Sequence, residues 1–145
     1  MNGVSRITVH HEGNPKPNND VGAAQVAETL RLIQQEHRSR MNAADIGYHF
    51  IIDRSGRIWQ GRDEAYQGAH VSGQNANNLG ILLLGNYDVQ QPTAAQLASL
   101  DRLLRHVMRA YQVPKSRVYC HGELANTRCP GVNLRNQFAA LRARM

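Results

Sequence analysis

The sequence predicts an α/β fold in which a central mixed β-sheet is covered by about three helices. Three observations carry that expectation. Short β-type runs are interspersed with segments whose apolar residues recur at helical spacing. Two of the runs flank a tight turn and read as a hairpin. One run, Leu79–Leu84, is apolar on both faces, as a strand at the centre of a covered sheet must be.

Taken in order, Arg6–His10 alternates and is rich in β-branched residues, with Ile7 and Val9 on one face and Thr8 and His10 on the other. It reads as a strand that ends at a histidine. Glu12–Asn19 is dense in Gly, Pro and Asn, which marks a loop. Asp20 is a suitable N-cap for a helix running to about His37, with Val26, Leu30 and Ile33 on its apolar face. Tyr48–Asp53 and Arg57–Gln60 are the two arms of the hairpin around Arg54-Ser55-Gly56. The polar, glycine-rich stretch 64–78 is long for a connection and reads as a functional loop. After the Leu79–Leu84 strand, Thr93 and Gln96 form a capping box. The helix it opens carries Leu97, Leu100, Leu104, Val107, Met108 and Tyr111 on one face. Arg117–His121 is a second short strand ending at a histidine, and Leu134, Phe138 and Leu141 space a C-terminal helix.

The 145 residues fit one domain with its own core, taken here as 1–145. No apolar run approaches the length that crosses a bilayer, so membrane insertion is not expected. The first eight residues lack the apolar core of a secretory signal. The cellular location is therefore left open between release by lysis, non-classical export and excision from a longer chain. A formal charge of +6 and a pI near 9.9 favour anionic partners, although a solvated basic surface explains them equally well. No nucleic-acid docking element is recognisable, so no specific nucleic-acid partner is expected. The two cysteines, Cys120 and Cys129, are too few for a disulfide framework.

Two strands thus end in histidine, and the second is followed by His121-x7-Cys129-Pro130-Gly131. Two imidazoles and a thiolate suit Zn²⁺ and leave a fourth position for water, which can then ionise near neutrality. Spacing alone does not single out this set, because seven histidines offer many combinations. The HExxH helix of common zinc peptidases is absent.

Read together, the segments resemble the N-acetylmuramoyl-L-alanine amidase family of zinc enzymes, which includes T7 lysozyme and the peptidoglycan recognition proteins. The matching stretches are Ile7-Thr8-Val9-His10, Ile46 through Asp53 (with Gly47-Tyr48-His49-Phe50), Gly56-Arg57-Ile58 and Gly61-Arg62. Gly68-Ala69-His70, Asn78 through Ile81, Leu84-Gly85-Asn86, His121-Gly122-Glu123 and Thr127 through Gly131 follow in the family's order. The resemblance implies the family's own fold and a zinc ion held by His10, His121 and Cys129. It implies that Tyr48 is the catalytic tyrosine, orienting the attacking water or stabilising the oxyanion. Thr127 occupies a position that is lysine in T7 lysozyme and threonine in many recognition-type amidases; its hydroxyl can hydrogen-bond but brings no charge. The implied reaction is hydrolysis of the amide between N-acetylmuramic acid and L-alanine, with peptidoglycan or muropeptides as partners and a monomer as the working unit. His70, Asn75 and Asn78 in the polar loop are candidates to border the substrate groove.

One departure bears on mechanism. The AmpD-like branch carries a glutamate in the strand that here reads Gly80-Ile81-Leu82-Leu83-Leu84-Gly85, so no carboxylate base comes from it. The alternative to an enzyme is a non-catalytic recognition module; such relatives commonly lose the metal cysteine. Of the other candidates, His11 and His49 point toward supporting roles, Cys120 toward a core thiol, His37 and His106 toward ordinary helix positions, and Trp59 toward core cover.

Overall fold

The computed structural model describes residues 1–17 and 19–145; Asn18, within the loop expected at Glu12–Asn19, lies outside the described residues. Strand β1 (Arg6–His11) leads through helix α1 (Ala23–Arg40) to the hairpin β2 (Phe50–Ile52) and β3 (Ile58–Gln60). Then come β4 (Asn78–Leu83), α2 (Ala94–Tyr111), β5 (Val118–Cys120) and α3 (Val132–Ala143). The five strands lie in the order β3-β2-β4-β1-β5. Among the described residues only β3 runs antiparallel, paired to β2; the other pairings are parallel. The mixed sheet and its three helices are those the sequence predicts, with the doubly apolar strand β4 at the centre.

Alternation in β1 sorts the two sides of the sheet. Ile7 and Val9 join Leu79, Ile81 and Leu83 in a core closed by Leu100, Leu104 and Val107 of α2 and by Leu134, Phe138 and Leu141 of α3. On the other side Ile51, Leu82 and Leu84 pack with Val26 of α1, with Leu30, Ile33, Tyr48 and Trp59 partly buried against them. Removing these side chains from water, at roughly 25 cal/mol per Å² of apolar surface, is what holds the layers together. Thr8 and His10 point away from the α2–α3 core, and both are buried.

Several boundaries differ from the sequence reading: β1 runs to His11 where His10 was expected as its end, and β4 spans Asn78–Leu83 instead of Leu79–Leu84. Helix α1 begins at Ala23 behind Gly22, not at Asp20, and runs on to Arg40. His37, Arg38 and Arg40 fill its last turn, where positive charge suits the exposed carbonyls. In the hairpin, the ladder is confined to Phe50–Ile52. His49 instead donates its backbone N–H to the Gly80 carbonyl, and Tyr48 accepts from Arg62. Finally, β5 stops at Cys120, because the Glu123 carboxylate accepts the Cys120 N–H at 2.7 Å and turns the chain into a short 3-10 segment, His121–Glu123. The Thr93–Gln96 capping box on α2 is present as expected, with both reciprocal bonds made.

Candidate metal centre

The register of the sheet brings the first two candidate ligands together. Val9 of β1 lies opposite Cys120, the last residue of β5, so the residues that follow them in the chain, His10 and His121, are neighbours at the same sheet end. Their ring centroids are 4.5 Å apart. The third arrives on the loop before α3: Gly122 donates its N–H to the Cys129 carbonyl at 2.9 Å, folding the cysteine back over His121. Gly131 permits this return. Its φ is +87°, and a Cβ there would lie 2.4 Å from the backbone carbonyl carbon of Tyr87.

One ligand atom from each of His10, His121 and Cys129 falls within 4.8 Å of the other two. The Cys129 Sγ stands 3.7 Å from Nδ1 of His10. Bonds of about 2.3 Å to sulfur and 2.0 Å to nitrogen, meeting at a tetrahedral angle, would set those atoms about 3.5 Å apart. The donor set and its spacing therefore fit a zinc ion. Both cysteines are free thiols, and Cys120 is buried in the core on the far side of β5.

Electrostatics suit ligation by neutral imidazoles. Burial, reinforced by His70, His121 and His11, holds His10 well below the ordinary histidine range. Burial also lowers His121. Burial pushes the Cys129 thiol up to about 12, assisted by Asp88 and opposed by the His11 N–H, which points at the sulfur from 3.4 Å. Coordination by this thiol thus requires its proton to leave. Tyr48, edge-on to His10 with centroids 5.2 Å apart, is raised above the ordinary phenol range by burial and then by Cys129 and Glu12. It stays a protonated donor. Thr127 accepts the Cys129 N–H at 3.2 Å.

A cleft of about 540 Å³ opens beside this cluster and includes Tyr48, Leu82, Glu12, and Thr29, Ile33 and His37 of α1. The three residues expected to border a groove do not line it. Asn78 is fully buried, its Oδ1 accepting from the Thr8 hydroxyl at 2.8 Å. Asn75 accepts the N–H groups of His70 and Val71. His70 lies behind His10, with Nδ1 2.9 Å from Nε2 of His10 and Nε2 2.9 Å from the Asn78 carbonyl; burial lowers its pKa to about 4.

The remaining histidines serve the frame. His11 accepts the Tyr87 N–H, His37 accepts the Gly47 N–H, and His49 accepts the Gly80 N–H. His106 is exposed. Sequence reasoning passed over Glu12, whose carboxylate accepts the Gly85 N–H at 3.3 Å at the cleft wall. Its only signal was its place directly after the paired histidines.

The chain is similar to several known proteins. Peptidoglycan-recognition protein SC2 of Drosophila melanogaster is 32% identical over 138 residues, covering 94% of this chain and 73% of the relative. The chain spans 60% of the length of the matching SC2 protein of Drosophila simulans. The endolysin of Escherichia phage T7 is 35% identical over 130 residues, covering 86% of this chain and 80% of the endolysin. Among solved structures, the N-acetylmuramoyl-L-alanine amidase LysC from Clostridium intestinale superposes with a TM-score of 0.81 at 30% identity, over 98% of this chain and 85% of that one. Residues 1–132 match the family described as N-acetylmuramoyl-L-alanine amidase. With nine-tenths of its length inside that match, the chain belongs to the N-acetylmuramoyl-L-alanine amidase family.

Proposed function

We propose that residues 1–145 form one zinc amidase domain that cleaves the amide between N-acetylmuramic acid and L-alanine in peptidoglycan. The observation that carries this reading is the convergence of His10, His121 and Cys129, from three separate segments, on one point beside a cleft. Zinc held there supplies Lewis acidity at the scissile carbonyl and an ionisable water at neutral pH.

The chain's own groups do the rest. The cleft between α1 and the end of β1 receives the stem peptide and sets the amide against the ligand cluster. The protonated Tyr48 phenol donates a hydrogen bond to the oxygen on which negative charge develops. Thr127, which accepts the Cys129 N–H through its oxygen, keeps its own O–H to donate toward the same region and fixes the cysteine loop. The His11 N–H points at the Cys129 sulfur and favours the thiolate. His70, Asn75 and Asn78 shape the wall behind His10. The domain acts on peptidoglycan or muropeptides as a monomer, with no specific nucleic-acid partner.

Digestion of purified peptidoglycan, read by mass spectrometry, tests this. The expected products are stem peptides with a free L-alanine amino terminus, lost on chelation and restored by zinc. Cleavage of the glycan strands with peptides still attached would contradict the reaction class. Tight binding without any release would favour the recognition-module reading.

A further inference from the structure

We propose that His70 is a positioning residue for the metal centre: it fixes His10 in the one tautomer whose free lone pair faces Cys129 and His121. The inference rests on the zinc reading of the site.

The hydrogen-bond chain leaves little choice. The Asn78 carbonyl oxygen can only accept, and it lies 2.9 Å from Nε2 of His70, so that nitrogen carries a proton. In the neutral pair, Nδ1 of His70 is then bare and can only accept. Its partner at 2.9 Å is Nε2 of His10, which must therefore be the protonated nitrogen of that ring. What remains on His10 is the lone pair of Nδ1, the atom 3.7 Å from the Cys129 sulfur. A backbone carbonyl thus dictates, through two rings, which nitrogen is offered to a metal. The ring centroids are 5.0 Å apart and the ring planes stand at 86° to each other.

The His70 ring is itself held from several sides. The His70 backbone N–H donates to Asn75, and Asn78 is tied to β1 through Thr8. Gly80 lies directly against it: a Cβ at that position would come within 2.8–2.9 Å of His70 Cδ2, Cγ and Nδ1. Outer partners of this kind orient ligating histidines and commonly command about 10–100-fold in metal affinity.

Zinc affinity, measured by chelator competition, together with the thiolate-to-metal charge-transfer band of the cobalt-substituted protein, tests the proposal in wild type, His70→Leu and His70→Asn. Leucine removes the acceptor; asparagine can place an oxygen near the lost Nδ1. His70→Leu should bind zinc about 10–100-fold more weakly with an altered cobalt band, and His70→Asn should recover most of the loss. Equal zinc affinity in His70→Leu and wild type overturns the proposal, as does an equal loss in both variants. Failure of the wild type to bind metal would instead overturn the zinc reading. Independently of whether the variants fold, long-range ¹H–¹⁵N spectra of the metal-free wild type should show His10 and His70 both protonated on Nε2. A proton on Nδ1 of either ring overturns the relay.

Discussion

At the scale of single residues, what decides the chemistry is which atoms are forced to be neutral donors, neutral acceptors or anions. On the zinc reading Cys129 is the least replaceable, because its half-buried thiol is the one candidate ligand able to contribute negative charge. Cys129→Ser should abolish amidase turnover and weaken zinc binding by more than the roughly 100-fold at the top of the range for outer partners. Equilibrium dialysis against a chelator reads this directly. Tyr48→Phe should keep the zinc affinity of the wild type yet lower the rate about 10²–10³-fold, as loss of one oxyanion donor does. A steady-state assay on a soluble muropeptide separates the two effects. The three candidate ligands were legible in the sequence only through the ordered family resemblance, since their spacing alone did not single them out; the structure brings their ligand atoms within 4.8 Å of one another. The link from His70 to His10 was not legible, since it spans sixty residues and depends on how a loop closes behind β1. The sequence offered His70, Asn75 and Asn78 as groove residues because polar loop residues often are. In the structure they hydrogen-bond to one another and to Thr8 and His10 behind β1.

At the scale of elements, the hairpin shows how a strand end becomes a stabilising device. Asp53 read in the sequence only as the last residue of a β-run. In the structure it is fully buried and accepts hydrogen bonds from the N–H and hydroxyl of Ser55, the N–H and guanidinium of Arg57, and the indole of Trp59. Burial alone would push its carboxyl up, but the bonds from Ser55, Trp59 and Arg57 outweigh it and hold the folded group below the ordinary Asp range. The folded state therefore binds its proton less readily than the unfolded chain. The resulting stability is complete above the unfolded value of about 3.9 and drains away as pH falls through the lower folded value. Asp53→Asn should cost about 2–3 kcal/mol in urea unfolding at pH 7, with the gap from wild type narrowing toward pH 3. The helix start at Gly22 was missed for a related reason. Asp20 is a good cap by residue type, but the helix axis is set by packing Val26 under the sheet.

At the scale of the whole molecule, the site exists only because the β1–β5 register, the turn after β5 and the loop before α3 agree in space. The order of the strands was not readable from local patterns. That β1 lies between β4 and β5 is set by pairing with strands some seventy and one hundred and ten residues further on, a long-range condition. Charge is divided in a similar way. Residues 94–145 carry nine Lys and Arg against two acids, whereas residues 1–93 carry eight against nine. The excess positive charge belongs to the segment from α2 to the end of the chain, and part of it, Arg135, acts on the Cys129 thiol. The central claim, that three remote side chains jointly hold one zinc, is tested most directly by zinc-edge X-ray absorption of the reconstituted protein. The account predicts a first shell with one sulfur near 2.3 Å, two imidazole nitrogens near 2.0 Å and one further light atom. A shell without sulfur, or with a single imidazole, would contradict it.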